Sequence, residues 1–168
     1  MENQKPYFKQ RRLKYYDYSS SGAYFITMCV KERKNVFWQS YNKNGSYTLS
    51  ENGKIADTAI NNIQFLYENV KVEKYVVMPD HIHILLVIDN PPADERRAMH
   101  AATVSKIVQQ FKGYITKQIG YSIWQKSFND HVIRNENDFE EICHYIDLNP
   151  IRKIEKEFRS VEHCSTVT

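Results

Sequence analysis

Cysteine is scarce in this chain. Cys29, Cys143 and Cys164 are odd in number and widely spaced, with no Cys-x-x-Cys pair. Such a set argues against a disulfide framework and a cysteine-rich zinc site, and it suits a reducing cytoplasm. Long apolar runs are lacking as well. No stretch approaches the roughly 18 residues that span a bilayer, so no membrane partner is expected. The start, Met1-Glu2-Asn3-Gln4-Lys5, lacks the apolar core of a secretory signal. Net charge is only +3, so the total does not announce a nucleic-acid partner. What is present is ordinary for a soluble globular protein, with 42% hydrophobic and 26% charged residues. At 168 residues the expectation is one domain, 1–168, with a sizeable core.

The distribution of charge says more than its total. Lys5, Lys9, Arg11, Arg12 and Lys14 fall in one segment without an acid. Tyr7, Phe8, Tyr15, Tyr16 and Tyr18 are interleaved with it or follow directly. Basic groups neutralise phosphates, and aromatic faces stack on unpaired bases. This arm, about residues 1–20, reads equally as a solvated terminus whose tyrosines pack on the domain. A second stretch, Met99 to Phe128, carries four lysines and no acid. Lys106, Lys112 and Lys117 share the polar face of a helix with Gln109 and Gln110. Such a face can track a phosphate backbone, although a merely solvated face is the commoner use.

The chain alternates strand and helix signals. Ala23–Lys31, A-Y-F-I-T-M-C-V-K, is a β-rich core strand. Asn44-Gly45 lies between Val36-Phe37-Trp38 and Tyr47-Thr48-Leu49 and suits a hairpin turn. A helix over about Asn52–Glu68 places Ile55, Ala59, Ile63 and Leu66 at helical spacing, with Ser50 or Asn52 as cap. Tyr75–Met78 and Ile82–Ile88 are two strands either side of the Pro79-Asp80 break. Asp89–Arg97 is a polar, proline-bearing loop. A second helix, about Ala101–Ile119, carries the stripe Val104, Ile107, Val108, Phe111, Ile115 and Ile119, and Gly120 closes it. Ile123–Phe128 and His131–Ile133 suggest a last strand or extended segment. A third helix starts at Asn135 or Asn137. It should end at Asn149-Pro150, because the residue before proline disfavours helix, leaving a short tail of about residues 154–168. The order is that of the split βαβ motif. The expected fold class is therefore α+β, a ferredoxin-like antiparallel sheet with a carboxy-terminal helix.

Two groups of residues carry chemistry. His81 and His83 alternate with Ile82 at the mouth of a strand, so both imidazoles share one face and either hold one metal ion or are simply a half-exposed pair at a strand end. Asp80, next door, suits an imidazole partner or simple turn chemistry. On the third helix Phe139, Ile142, Cys143 and Ile146 form the apolar stripe. Tyr145 lies about a quarter turn off it, and Asn149 lies one turn on from Tyr145. A carboxy-terminal helix over the open sheet face would set Tyr145 and Asn149 opposite the histidines. The alternative is an amphipathic tyrosine at the core edge with Asn149 as a terminator.

The stretch Tyr75-Val76-Val77-Met78-Pro79-Asp80-His81-Ile82-His83 is followed by Ile123-Trp124-Gln125-Lys126-Ser127-Phe128-Asn129-Asp130-His131-Val132-Ile133-Arg134. Then comes His144-Tyr145-Ile146-Asp147-Leu148-Asn149-Pro150-Ile151-Arg152. Together these resemble the REP-associated tyrosine transposases, single-tyrosine members of the HUH superfamily in which U is a bulky apolar residue. Arg11–Tyr18, Gly22–Thr27 and Leu49–Ile55 also look like that family, so the resemblance covers about residues 11–153. It implies a DNA transposase that cleaves and rejoins single-stranded DNA beside REP-like hairpins through a 5′-phosphotyrosine. By the same resemblance Tyr145 is the nucleophile, and His81, His83 and Asn149 hold Mg2+ or Mn2+. Arg11, Arg12, Lys14, Lys106, Lys112, Lys117 and His131 are candidate DNA contacts, with a hydrogen-bonding structural role as the alternative for His131. A phenol is a weak nucleophile at neutral pH and needs such a cation. Two imidazoles suit manganese better than magnesium.

Tyr75, Tyr114 and Tyr121 are weaker candidates for the nucleophile. The short connection from His131 to Tyr145 favours a monomer that closes its own site, against a homodimer that exchanges tyrosine helices. Two other functions fit a ferredoxin-like sheet with these residues. One is a noncatalytic single-strand-binding module, and the other is a metal-dependent nuclease that activates water.

Overall fold

A computed structural model describes residues 16–91 and 102–164, with side chains as far as residue 160. Arg11, Arg12 and Lys14 lie outside the described residues. β1 (Gly22–Cys29) and β5 (His81–Ile88) are the central strands of a four-stranded sheet, ordered β4-β5-β1-β6, with β4 at Val70–Val77 and β6 at Asn129–Ile133. Every neighbouring pair is antiparallel. This is the ferredoxin-like order, with the expected first and third core strands in the middle. A separate hairpin, β2 (Trp38–Tyr41) and β3 (Tyr47–Leu49), turns through Gly45 in a left-handed conformation at φ 89°.

The two faces of the sheet bury different things. Tyr24, Ile26, Met28, Ile82, Ile84, Leu86 and Ile88 alternate onto one face and are all but inaccessible. α1 (Glu51–Asn61), short α2 (Ile63–Leu66) and α3 (Val104–Ile119) lie on this side. The expected single helix over 52–68 breaks at Asn62. The break rephases the stripe, so Ala56, Ala59, Ile60 and Ile63 are buried while Leu66 is 71% exposed. Ser50 caps α1 through Gly53 N–H, and Thr103 caps α3 through Lys106 N–H. Gly120 closes α3 at φ 90°.

α4 (Glu136–Cys164) covers the other face. It starts where expected, with Asn135 Oδ1 accepting from Asp138 N–H at 2.9 Å. It does not stop at Asn149-Pro150. Pro150 is buried inside the helix, and the supposed tail from residue 154 is helical through Cys164. A proline in a helix costs about 3 kcal/mol. Packing beyond it offsets that cost. Ile154 is 1% exposed, and Phe158 meets Tyr41 of the hairpin edge to face at 6.0 Å. Burying one such side chain stabilises by about 1.5–3 kcal/mol.

The hairpin is fastened to this assembly by Trp38, whose indole N–H donates to Val77 O at 2.7 Å and whose ring stacks on Tyr47 at 4.3 Å. Gly53 lies beneath it. A Cβ there would stand well inside contact distance of Phe37 O and 3.0 Å from Leu49 Cβ. Gly53→Ala should therefore destabilise by about 1–3 kcal/mol, although alanine is the better helix former. Denaturant unfolding of the two proteins measures the difference.

Candidate active site

β1 and β5 pair Thr27 with His83 and Cys29 with His81. Directly paired residues share a face, so Phe25, Thr27, His81 and His83 all point toward α4. His83 is buried and His81 partly so. Thr27 Oγ1 lies 2.8 Å from His83 Nδ1, and Asp80 Oδ1 lies 2.6 Å from His81 Nδ1. Each imidazole is thus held by its Nδ1 atom and turned so that the Nε2 atoms face one another at 3.0 Å. In the neutral ring, Asp80 accepting from His81 Nδ1–H would leave the lone pair on Nε2.

Burial holds the His83 imidazole well below its ordinary basicity, and the nearby His81 and Arg33 charges add to the effect. Burial would raise the Asp80 carboxyl, but the His81 hydrogen bond and the charges of His81, Arg33 and Lys153 outweigh it and keep the group ionised. Arg33 reaches Asp80 at 3.3 Å from a loop in which Glu32 and Arg33 adopt φ of 56° and 54°. Positive φ at two successive non-glycine residues is strained backbone.

The ring of Tyr145 stands 5.3 Å from that of His83 and 6.0 Å from that of Phe25, and Phe25 in turn stacks on His83 at 5.0 Å. Lys74 of β4 locks the same turn of α4 through Asp147 at 2.7 Å. Asn149 is half-buried, and its carboxamide makes no hydrogen bond to another described residue. Among the described residues no three His, Cys, Asp or Glu side chains converge as a metal cluster. The histidine pair nevertheless fits a cation. Two nitrogens about 2.1 Å from one ion and at about 90° are themselves about 3.0 Å apart. Imidazole nitrogens are the donor type that such an ion needs, and burial keeps the His83 ring neutral while Asp80 holds His81 by its Nδ1 atom.

The other sequence candidates fall elsewhere. Tyr75 pairs with Ile84 and so lies on the opposite face, where its hydroxyl donates to Asp57 at 2.7 Å. Tyr114 is on α3, on that same far side. Tyr121 follows α3 and is 62% exposed. Lys106 and Lys117 also lie on α3, across the sheet from the histidines. Lys112 donates to the carbonyls of Gln125 and Ser127 at 3.0 and 2.8 Å and lies over the Trp124 ring. It ties α3 to the strand-like segment that runs beside Val30. His131 shares the face of Phe25, with its Nε2 against both oxygens of Asp138 at 2.8 and 2.9 Å. That contact joins β6 to the first turn of α4. Thr27, Phe25 and Arg33 escaped the sequence reading, because only strand register and loop path bring them to the histidines.

The fold thus sets a His-x-His pair on a central strand of a split βαβ sheet and lays a tyrosine-bearing helix across the same face. A relative from Haemophilus influenzae, whose name assigns no activity, is 31% identical over 83% of this chain and 86% of its own length. A second from the same organism, provisionally named a REP-associated tyrosine transposase, is 24% identical over 81% and 74%. A solved REP-associated tyrosine transposase bound to a REP hairpin superposes with a TM-score of 0.62 at 22% identity, covering 84% of this chain and 74% of that one. The family described as IS200-like transposase matches residues 18–149, and the chain belongs to it.

Because the folded state holds His83 neutral and the unfolded chain does not, acid pulls the protein toward unfolding. The unfolded state binds the extra proton below about pH 6.5, so stability should fall as the pH drops through that value. In chelator-treated protein, His83→Asn should flatten this part of the stability–pH curve. An unchanged curve would contradict the assignment.

Proposed function

We propose that this transposase cleaves and rejoins single-stranded DNA beside a hairpin, with Tyr145 as nucleophile and His81, His83 and Asn149 holding Mg2+ or Mn2+. One observation carries the reading. Tyr145 is the tyrosine set against the face on which the two Nε2 atoms converge. The fold shared with a transposase bound to a REP hairpin supports the hairpin as partner.

In this reading the Tyr145 hydroxyl attacks the scissile phosphorus and gives up its proton. An O–P bond forms to the 5′ phosphate, the bond to the 3′ oxygen breaks, and that oxygen takes a proton and leaves as a 3′-hydroxyl. A cation in the site would offset charge on the phosphate oxygens. Asp80 and Thr27 hold the imidazoles in register. Lys74 and Phe25 hold the tyrosine turn of α4 in place. Rejoining reverses the exchange, so the phosphodiester energy is kept in the phosphotyrosine and no nucleotide cofactor is consumed. Because α4 packs on the histidine strand of its own chain, the site can close within a monomer.

Tyr145→Phe should abolish the covalent protein–DNA adduct on a denaturing gel, while hairpin affinity stays within about twofold, since phosphate contacts elsewhere set most of it. His81→Ala or His83→Ala should lose cleavage together with Mn2+ binding by calorimetry. Asn149→Ala should cost roughly 10–100-fold if it acts as a supporting group, and more as a direct ligand. Cleavage that survives in Tyr145→Phe without an adduct would instead mark a nuclease using water. Sedimentation of the protein should give a monomer mass, and a dimer with exchanged α4 helices would refute closure in cis.

A further inference from the structure

Beside the histidine pair the fold leaves a second polar feature. A cleft of about 200 Å³ lies between the β2–β3 hairpin, the Pro79-Asp80 turn and the second half of α4. Its walls include Arg33, Asn35, Trp38, Tyr41, Lys153 and Glu157. Asp80 belongs to both places, since it lines the cleft and holds His81. The cleft therefore opens one residue away from the candidate chemistry.

The lining is composed like a nucleotide site. Tyr41 is 39% exposed, and its ring is tilted against Trp38 at a centroid distance of 5.9 Å. Arg33 spends one N–H on Asp80, and Lys153 spends one on Glu157 at 2.7 Å. A guanidinium has five donors and an ammonium three, so both cations keep donors for a phosphate. Asn35 uses its carboxamide oxygen on Trp38 N–H, which leaves its NH2 group for a base edge. Glu157 adds an acceptor. Aromatic area, spare cationic donors and mixed hydrogen-bonding groups are what a single unstacked nucleotide requires.

One wall is tied to the histidine turn by its backbone. Pro79 O accepts from Val36 N–H and Phe37 N–H at 2.9 and 3.1 Å, and Asp80 O accepts from Val30 N–H at 2.9 Å. The 30–37 loop is thus stapled to the turn that carries the histidines. The proline-bearing helix supplies the opposite wall. Had α4 ended at Asn149, Lys153, Ile154 and Glu157 would not be there.

The geometry points to this cleft as a nucleotide subsite that takes one base of the single strand next to the scissile phosphate, with its phosphate on Arg33 and Lys153. The inference rests on the reading that the strand cut at Tyr145 is DNA. It makes the cleft a specificity-determining element, because a base held there fixes which phosphate reaches the tyrosine.

Two measurements test it, both on the uncleaving Tyr145→Phe protein. In the first, the four deoxynucleoside 5′-monophosphates are titrated while backbone amide resonances are followed. Shifts should centre on Asn35, Tyr41 and Lys153, and shifts confined to other surfaces would overturn the proposal. In the second, an abasic site is walked along the single strand flanking a hairpin. One position should weaken binding by about fivefold or more, on the scale of one stacked base. Tyr41→Ala should remove that penalty at that position alone. If Tyr41→Ala protein still pays the full abasic penalty, the base is read elsewhere and the subsite is refuted. An occupied free-nucleotide site without an abasic effect would mean that the cleft binds mononucleotides rather than the strand. That result would also overturn the proposal. Failure of the cleavage reading shows separately, as the absence of a Tyr145 adduct in the unmodified protein.

Discussion

The pairing of β1 with β5 is the constraint on which the rest depends. Its register sets Thr27 opposite His83 and Cys29 opposite His81. A slip of one residue would send both histidines into the apolar face now filled by Ile82 and Ile84. Burial on that face makes the slip costly, because a polar imidazole would enter an apolar core and a large aliphatic chain would leave it. The register that packs the core therefore also aims the imidazoles. Thr27 and Asp80 complete the aim by taking the two Nδ1 atoms, so that the Nε2 atoms converge.

α4 is the second half of the arrangement, and its length matters more than its start. The first turns bring Tyr145 against His83, and the turns after Pro150 build one wall of the cleft beside Asp80. One continuous element thus serves the candidate nucleophile and the adjoining surface. Pro150 is tolerated because the helix packs on both sides of it, Ile146 before and Ile154 after, each nearly inaccessible. The hairpin that receives Phe158 is anchored through Trp38 to the end of β4, so it is tied to the same sheet.

The basic residues divide by their surroundings. Lys112 is half-buried and committed to two carbonyls and an aromatic face, and its burial lowers the ammonium's affinity for its proton. Its position on a lysine-rich face says nothing of this. Lys106 and Lys117 remain on the far side of the sheet. Arg33, from Lys31-Glu32-Arg33-Lys34, and Lys153, from the mixed-charge stretch 152–159, lie beside the histidine turn. Proximity to the site follows the path of the 30–37 loop and the length of α4 rather than an excess of one charge sign.

Local pattern by itself determined the strand and helix order, the shared face of His81 and His83, the caps at Ser50 and Asn135, and the turn spacing of Tyr145 and Asn149. These depend on periodicity and capping chemistry, which act over a few residues. Tertiary structure alone decided the rest. Register brought Thr27 to His83, a strained loop brought Arg33 to Asp80, and packing carried α4 through a proline that local preference reads as a stop. Each is a contact between residues distant in the chain. Its free energy comes from burial and pairing that do not exist until the sheet has closed.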